Sequence, residues 1–465
     1  MINIHTNNYN ICYIFLYMSR KLTIRKGLDI KMAGGLTDLK PADAPKSASY
    51  AIIPDDFNGF VPKPAVKEGD KVRAGDPLLF DKRDSELKLV SPVAGTVSAI
   101  VRGERRKILR VVVTPDDGAA AGVNAAFDTS VKDTDAARKL LKNSGLWAMM
   151  RQRPYDIVPG PESAPRDIFV TAIDSAPLAA SPAAYYGDTG TLEAAVALLA
   201  KTTPGKIYIG RRAGGGVADI KGAEMVDIDG PHPSGNVGVL IANIAPVNKG
   251  EAVWTLDLAT LWRMGRLMVT GSVDFTDYVA LTGSEVVNPM VLKTVIGATI
   301  ASLTDGRLAP AVHHQRIISG NVLTGVTVAA DGYMHYPYRQ ITVIPEGDDV
   351  DEFMGWASLS PRKMSESRTF PGKFFGKLFR PDARLLGGRR AFIMSGEYDR
   401  YMPMDIMAEY LLKAIIGRDI EKMEKLGIYE VAPEDFALGE YADTSKIEAQ
   451  KIVREGLDYL RKELE

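Results

Sequence analysis

A single cysteine, Cys12, stands in a chain of 465 residues. One thiol excludes an internal disulfide framework, a thiolate zinc site and an iron–sulfur cluster held within the chain. Histidine is almost as scarce, with His5, His232, His313, His314 and His335 making five. There is no HExxH pattern, and adjacent His313 and His314 on a strand point to opposite faces, so no metal site is expected. No run approaches the roughly 18 apolar residues that a membrane-spanning helix needs. Excess charge is lacking too: Lys+Arg 57 against Asp+Glu 58 leaves a net charge of -1. With no long basic run either, nothing favours a nucleic-acid partner.

What is present is ordinary for a soluble globular protein, at 46% hydrophobic and 25% charged residues. The length suggests roughly three domains. The opening "MINIHTNNYNICYIFLY" stands apart, because twelve of its seventeen residues are Asn, Ile, Tyr or Phe. It has neither a basic n-region nor a small-residue cleavage site, so it does not read as a signal peptide. Residues 1–17 are expected to be a non-native upstream extension, with Met18 as the working start.

Residues 18–118 read as all-β, with short runs such as "PLLFD", "LKLVSPV" and "ILRVVVTP" between Gly, Asp and Pro turns. Residues 130–260 alternate strands and helices, which argues an α/β layer with a parallel sheet. Within it "DIFVTAID", "KIYIG" and "VGVLIANI" read as strands and "TLEAAVALLAKT" as a helix. Residues 265–345, beginning with "RLMVTGSVDF", read as a small β-rich module, and 346–388 as a basic connector broken by Gly and Pro. Residues 389–465 read as helical. Their last helix is predicted to open with a Ser445-x-x-Glu448 capping box, with Ala449, Ile452, Val453, Leu457, Leu460 and Leu464 in one apolar stripe. The fold class is therefore α+β multidomain.

The glycine-rich "IGRRAGGGVADI" fails both nucleotide patterns. It lacks the Gly-Lys-Ser/Thr end of a phosphate loop, and Asp219 stands where the dinucleotide fingerprint needs its third glycine. A turn is the better reading. Another motif, "VKEGDKVRAGDPLLFDKRDSELKLVSPVAGTV", resembles a lipoyl or biotinyl carrier domain, which presents a modified lysine at a hairpin tip. That lysine lies seven residues before the Ser of Ser-Pro, and the slot here holds Asp84. Lys82 is two residues away. The sequence predicts an assembly surface in place of a carrier.

Two further stretches invite a site. "SGLWAMMRQRPYDIVP" gathers Trp147, Arg151, Arg153 and Tyr155, a mixture that suits an interface first. "GPHPSGNVG" sets His232 between two prolines, a structural turn with a hydrogen-bonded histidine or a proton-transfer contact.

Together with "KGLDIKMAGG", "APVNKGEAVWTLD", "GRLMVTGSVDFTDYVALTGSEVVNP" and "MSGEYDRYMPMDI", these stretches resemble the A-subunit family of the sodium-translocating NADH:quinone oxidoreductase. That family resembles in turn the flavin-bearing subunit of respiratory complex I and the C component of the Rnf complex. The resemblance implies a lipoyl-like barrel-sandwich, a Rossmann-like domain, an SLBB or ubiquitin-like module and a C-terminal helical, ferredoxin-like domain without clusters. Against the flavin-bearing pattern, loop glycines are replaced by Trp147, Met149, Met150 and Pro154, so flavin binding is expected to be lost. Laid on the ferredoxin pattern, the cysteine slots hold Phe392, Ser395, Tyr398 and Met402, and in a second half-motif Gly439 and Asp443.

The resemblance further implies a peripheral subunit on the cytoplasmic face of a bacterial inner membrane. Its partners are the five other members of the complex, B to F, and its substrate link is a quinone, with NADH oxidised elsewhere and sodium exported. It is expected to bind no cofactor or metal and to have no complete active site of its own. The quinone-contact candidates are Trp147, Arg151, Arg153, Tyr155 and His232; the alternative is a purely structural role in assembly.

Overall fold

A computed structural model describes residues 20–116, 124–310, 313–348, 360, 361, 363, 366, 370–375 and 378–464. The extension at 1–17, with Cys12 and Met18, lies outside the described residues, as does much of the connector.

The centre of the molecule is a six-stranded sheet. Its order is Arg20–Thr23, Glu224–Asp229, Ile207–Arg212, Ile168–Thr171, Val253–Asp257 and Arg151–Arg153, all parallel except the last. Ile168, Phe169, Val170 and Ile209 are completely buried, as a parallel sheet covered on both faces requires. One face shares a core with the helices Thr189–Leu199 and Leu258–Thr270 and with the β domain, through Leu78, Leu89, Leu141, Trp147 and Trp254. The other face packs on Val237–Ile244 and the C-terminal helices, through Phe169, Ile228, Leu411, Phe436 and Leu457.

The β domain is a sandwich of a four-stranded sheet (Tyr50–Ile52, Ile108–Pro115, Gly95–Arg102, Lys71–Val72) and a three-stranded one (Pro62–Pro64, Pro77–Asp81, Asp84–Val90). A third module has six strands in the order Val326–Val328, Gln315–Ser319, Gln340–Pro345, Thr276–Thr282, Met290–Val295 and Pro41–Asp43. The C-terminal module packs Ala408–Ile416, Ile420–Lys425, Ala437–Ala442 and Ala449–Leu464 together.

Several expected elements differ. Arg20–Thr23 leaves the first domain and covers the open edge of the central sheet, and Pro41–Asp43 does the same for the third module. "VGVLIANI" forms the helix Val237–Ile244, not a strand. A short, almost wholly apolar run has no periodicity to separate a buried strand from a buried helix. "RLMVT" ends the helix Leu258–Thr270, which Asp257 caps at its start and left-handed Gly271 (φ 73) at its end. Ser445 and Glu448 bond other partners: the buried Ser445 hydroxyl accepts from Ile393 N, and Glu448 pairs with Arg389 at 3.0 Å. The apolar stripe is buried at Ala449, Val453, Leu457 and Leu460, while Leu464 is exposed.

Candidate functional site

The hairpin tip that carriers use to present a lysine is docked here. Asp84 Oδ2 accepts from Lys142 Nζ at 2.8 Å, and Lys142 sits in the helix Thr134–Asn143 of the neighbouring layer. Burial would raise the Asp84 carboxyl, but Lys142 and the Glu86 N–H outweigh it and hold it below the usual carboxylate range. Lys82 stays exposed, with its backbone N–H bonded to Val61 O. The slot anchors one layer to the next.

The stretch after that helix forms the seam between modules. Trp147 is enclosed, edge-on to Trp254 at 4.8 Å, and its indole N–H donates to Pro159 O at 2.8 Å. Arg151 donates to Asp56 O at 2.6 Å, and the Asp56 carboxylate accepts from Tyr336 N at 2.9 Å. These bonds join the β domain, the seam and the third module. Tyr155 and Asp156 both hold left-handed backbone (φ 81 and 50), and Arg454 donates to both carbonyls, at 2.6 and 3.2 Å. Such residues cost about 1 kcal/mol or more each. The bonds from Arg454 offset that cost.

Arg153 is buried and donates to Asp435 Oδ2 at 2.8 Å, Glu434 Oε1 at 3.2 Å and Glu430 O at 2.7 Å. Asp435 also reaches the first turn of Val237–Ile244, where a Cβ added to Gly238 would collide with its Oδ1. In a dinucleotide-binding sheet, a helix start of this kind receives a phosphate. Here the chain's own Asp435 Oδ1 lies against it, with no hydrogen-bond partner among the described residues.

His232 lies in the turn between Glu224–Asp229 and Val237–Ile244. Its Nδ1 is 3.1 Å from Ser175 Oγ, which accepts from Gly235 N at 2.9 Å. Its Nε2 is buried with no hydrogen-bond partner among the described residues. Burial, opposed by Asp29, pushes the imidazole down to about 4, so it is neutral at pH 7.

Beyond Ser175 lie the carboxyl ends of the parallel strands, where an open α/β sheet leaves a recess. Asp174, Asp257 and Arg339, Asp156, Glu434 and Tyr338 face it. Asp174 is solvent-exposed and Glu434 is 41% exposed, yet burial remains the largest influence on both carboxyls and raises them. Asp435 raises Glu434 further while Arg153 opposes, and Tyr338 is pushed up to about 12 by burial and then by Asp56. On the opposite side Arg339 pairs with Asp257 and, at 2.9 Å, with Asp277, which also takes the Tyr186 hydroxyl at 2.6 Å. The strand ends thus gather two raised carboxyls, a phenol and guanidinium groups.

Of the five candidate residues, Arg151 acts on Tyr338, buried Arg153 bonds Glu434, and His232 lies behind Ser175. Tyr155 belongs to the core beneath, and Trp147 to the core on the sheet's other face. Asp174, Glu434, Tyr338 and Arg339 carry no motif that sequence reasoning could use. Only their convergence at the strand ends marks them.

The cysteine-slot positions do converge. The Tyr398 ring lies on Gly439 so closely that a Cβ there would collide with Tyr398 Cδ1. Phe392 and Phe436 flank it at 6.2 and 6.4 Å, and Met402 joins the same core. Ser395 donates to Glu409, and Asp443 accepts from Ser445 N and Ile447 N at 3.0 Å each. An aromatic plug fills the space between the slots. Among the described residues no group of His, Cys, Asp or Glu fits a metal ion.

Three family models match the chain: the NqrA N-terminal barrel-sandwich hybrid domain at residues 22–116, the NqrA second alpha/beta domain at 132–273, and the NQRA C-terminal domain at 278–330. The Na(+)-translocating NADH-quinone reductase A chain of Serratia proteamaculans is 35% identical over 451 residues, covering 95% of this chain and 100% of that one. Its counterpart from Saccharophagus degradans is 35% identical over 449 residues, and that from Neisseria meningitidis serogroup C 34% over 453, with the same coverage. Among solved structures, an NAD+-reducing NiFe hydrogenase aligns over 47% of each chain at 14% identity, with a TM-score of 0.32. That likeness is too slight to bear on the fold. By full-length identity and by its successive domains, the chain belongs to the A-subunit (NqrA) family of the Na(+)-translocating NADH-quinone reductases.

Proposed function

We propose that this chain is a cofactor-free peripheral subunit serving the quinone-reduction end of its complex, on the cytoplasmic face of the membrane beside the complex's other subunits. Membership in the family makes it part of a sodium-pumping NADH:quinone oxidoreductase. No described helix is long and apolar enough to cross a membrane, which fits a peripheral position. The aromatic plug at Tyr398 and the carboxylate at the helix start support the absence of cluster and phosphate cofactors.

The recess carries the quinone reading. Open α/β sheets take ligands at the carboxyl ends of their strands. A quinone becoming a quinol takes up two electrons and two protons, so its site needs donors that hold protons near neutrality. The Glu434 carboxyl, pushed up to about 8 by burial and then by Asp435, meets that need; Asp174 adds a second raised carboxyl, and Arg151 and Arg339 supply fixed cationic donors. Quinone reduction by an assembled complex carrying Glu434→Gln, with NADH oxidation by an artificial acceptor as reference, tests the reading.

A second reading, a purely structural role, is favoured by the enclosure of Trp147 and Arg153 and by the Asp84–Lys142 anchor. Loss of assembly with no selective effect on quinone would decide for it.

A further inference from the structure

A surface in the segment 370–390 takes no part in the recess. Phe374 is 74% exposed, Phe375 55% and Leu378 68%, among the most exposed large apolar side chains of the molecule. Their flanks are held. Phe370 and Phe379 are buried, and Phe379 bonds the segment Lys31–Ala33 through Phe379 N to Lys31 O at 2.9 Å and Ala33 N to Phe379 O at 2.8 Å. Gly372 sits against Lys363 O so tightly that a Cβ would collide with it. Two inward aromatic anchors therefore display three outward apolar side chains.

Charge singles out the same stretch. Residues 373–390 contain six Lys or Arg (Lys373, Lys377, Arg380, Arg384, Arg389 and Arg390) against one acid, Asp382, in a chain of net charge -1. Asp382 pairs with Arg384, Glu448 with Arg389 and Glu285 with Arg380, so six cations stand against three acids and net positive charge remains. Protruding aromatic side chains in a basic stretch suit the headgroup layer of an anionic bilayer, where each cation near the surface contributes about 1 kcal/mol. A partner protein would need a matching groove for side chains this exposed; fluid lipid needs none.

We propose that the turn Pro371–Phe375, with Leu378, docks the chain directly on an anionic lipid surface. Phe374, Phe375 and Leu378 enter the headgroup layer, and the net positive charge of the segment's sequence attracts lipid phosphate. This rests on the peripheral placement proposed above and is independent of where the quinone binds.

The test mixes the full chain with vesicles of phosphatidylcholine, or of equal parts phosphatidylcholine and phosphatidylglycerol, and pellets them. The chain is expected to pellet with the anionic vesicles alone and to be released by added salt. Phe374→Ser with Phe375→Ser should weaken binding about ten-fold or more and leave the thermal midpoint unchanged. No binding to anionic vesicles at low salt, or binding that ignores the double substitution, overturns the proposal. A chain that ignores vesicles, yet leaves the complex when the two Phe are replaced, has a protein interface there and refutes lipid docking. Electron flow to quinone is measured separately, so failure here leaves the quinone reading standing.

Discussion

Asp84, in the position where carrier domains keep their modified lysine, forms a half-buried ion pair with Lys142 at 2.8 Å. The exchange turns a presenting tip into a fixed joint. Lys142→Met leaves the Asp84 carboxylate unpaired against a protein wall and should destabilise the chain by about 2–3 kcal/mol. The double exchange Asp84→Lys with Lys142→Asp should recover most of that, because it restores the attraction. Thermal melts of the three variants check it; no recovery in the double variant contradicts the joint.

His232 makes a pH prediction with a definite sign. Its folded pKa of about 4 lies below the ordinary value of about 6.5, so the unfolded chain binds a proton first as pH falls. The stability it contributes is complete above about pH 6.5 and is lost progressively down to about pH 4. The total is about 3 kcal/mol. Denaturant titrations across this window should show a steeper acid loss for the native chain than for His232→Gln. Parallel curves would mean the imidazole is not desolvated.

Tyr398 and Gly439 predict opposite effects from two small changes. Gly439→Ala forces a methyl into the Tyr398 ring and should cost about 1–3 kcal/mol. Tyr398→Phe removes a buried hydroxyl with no partner among the described residues and should be neutral or stabilising by about 1 kcal/mol. A clear loss of stability in Tyr398→Phe would show that the hydroxyl is bonded.

The parts of this molecule that sequence patterns made legible are local. The hairpin around Asp84, the helix Thr134–Asn143 and the helical stripe through Val453 and Leu460 repeat with their own structural period. Val237–Ile244 reads as a strand because only Asn243 interrupts its apolar run with a polar side chain, too little to reveal a helical period. Arg20–Thr23 reads as part of the first domain because its pairing with Val226–Asp229 is a long-range event that no local pattern encodes. The recess is invisible in the sequence for the same reason. Asp174 and the Glu434–Asp435 pair are far apart in the chain, and only the fold makes them neighbours. In the seam, Arg153 resembles a ligand contact because it is cationic and near aromatics; buried on Asp435, it supports the wall.

Electron flow in an assembled complex carrying Glu434→Gln or Asp174→Asn tests the quinone role most directly. Quinone reduction should fall about ten-fold or more, with the artificial-acceptor rate unchanged and all subunits retained. Weaker apparent quinone affinity should accompany the loss. Normal quinone reduction in both variants, with assembly intact, would contradict a role for this recess at the quinone end.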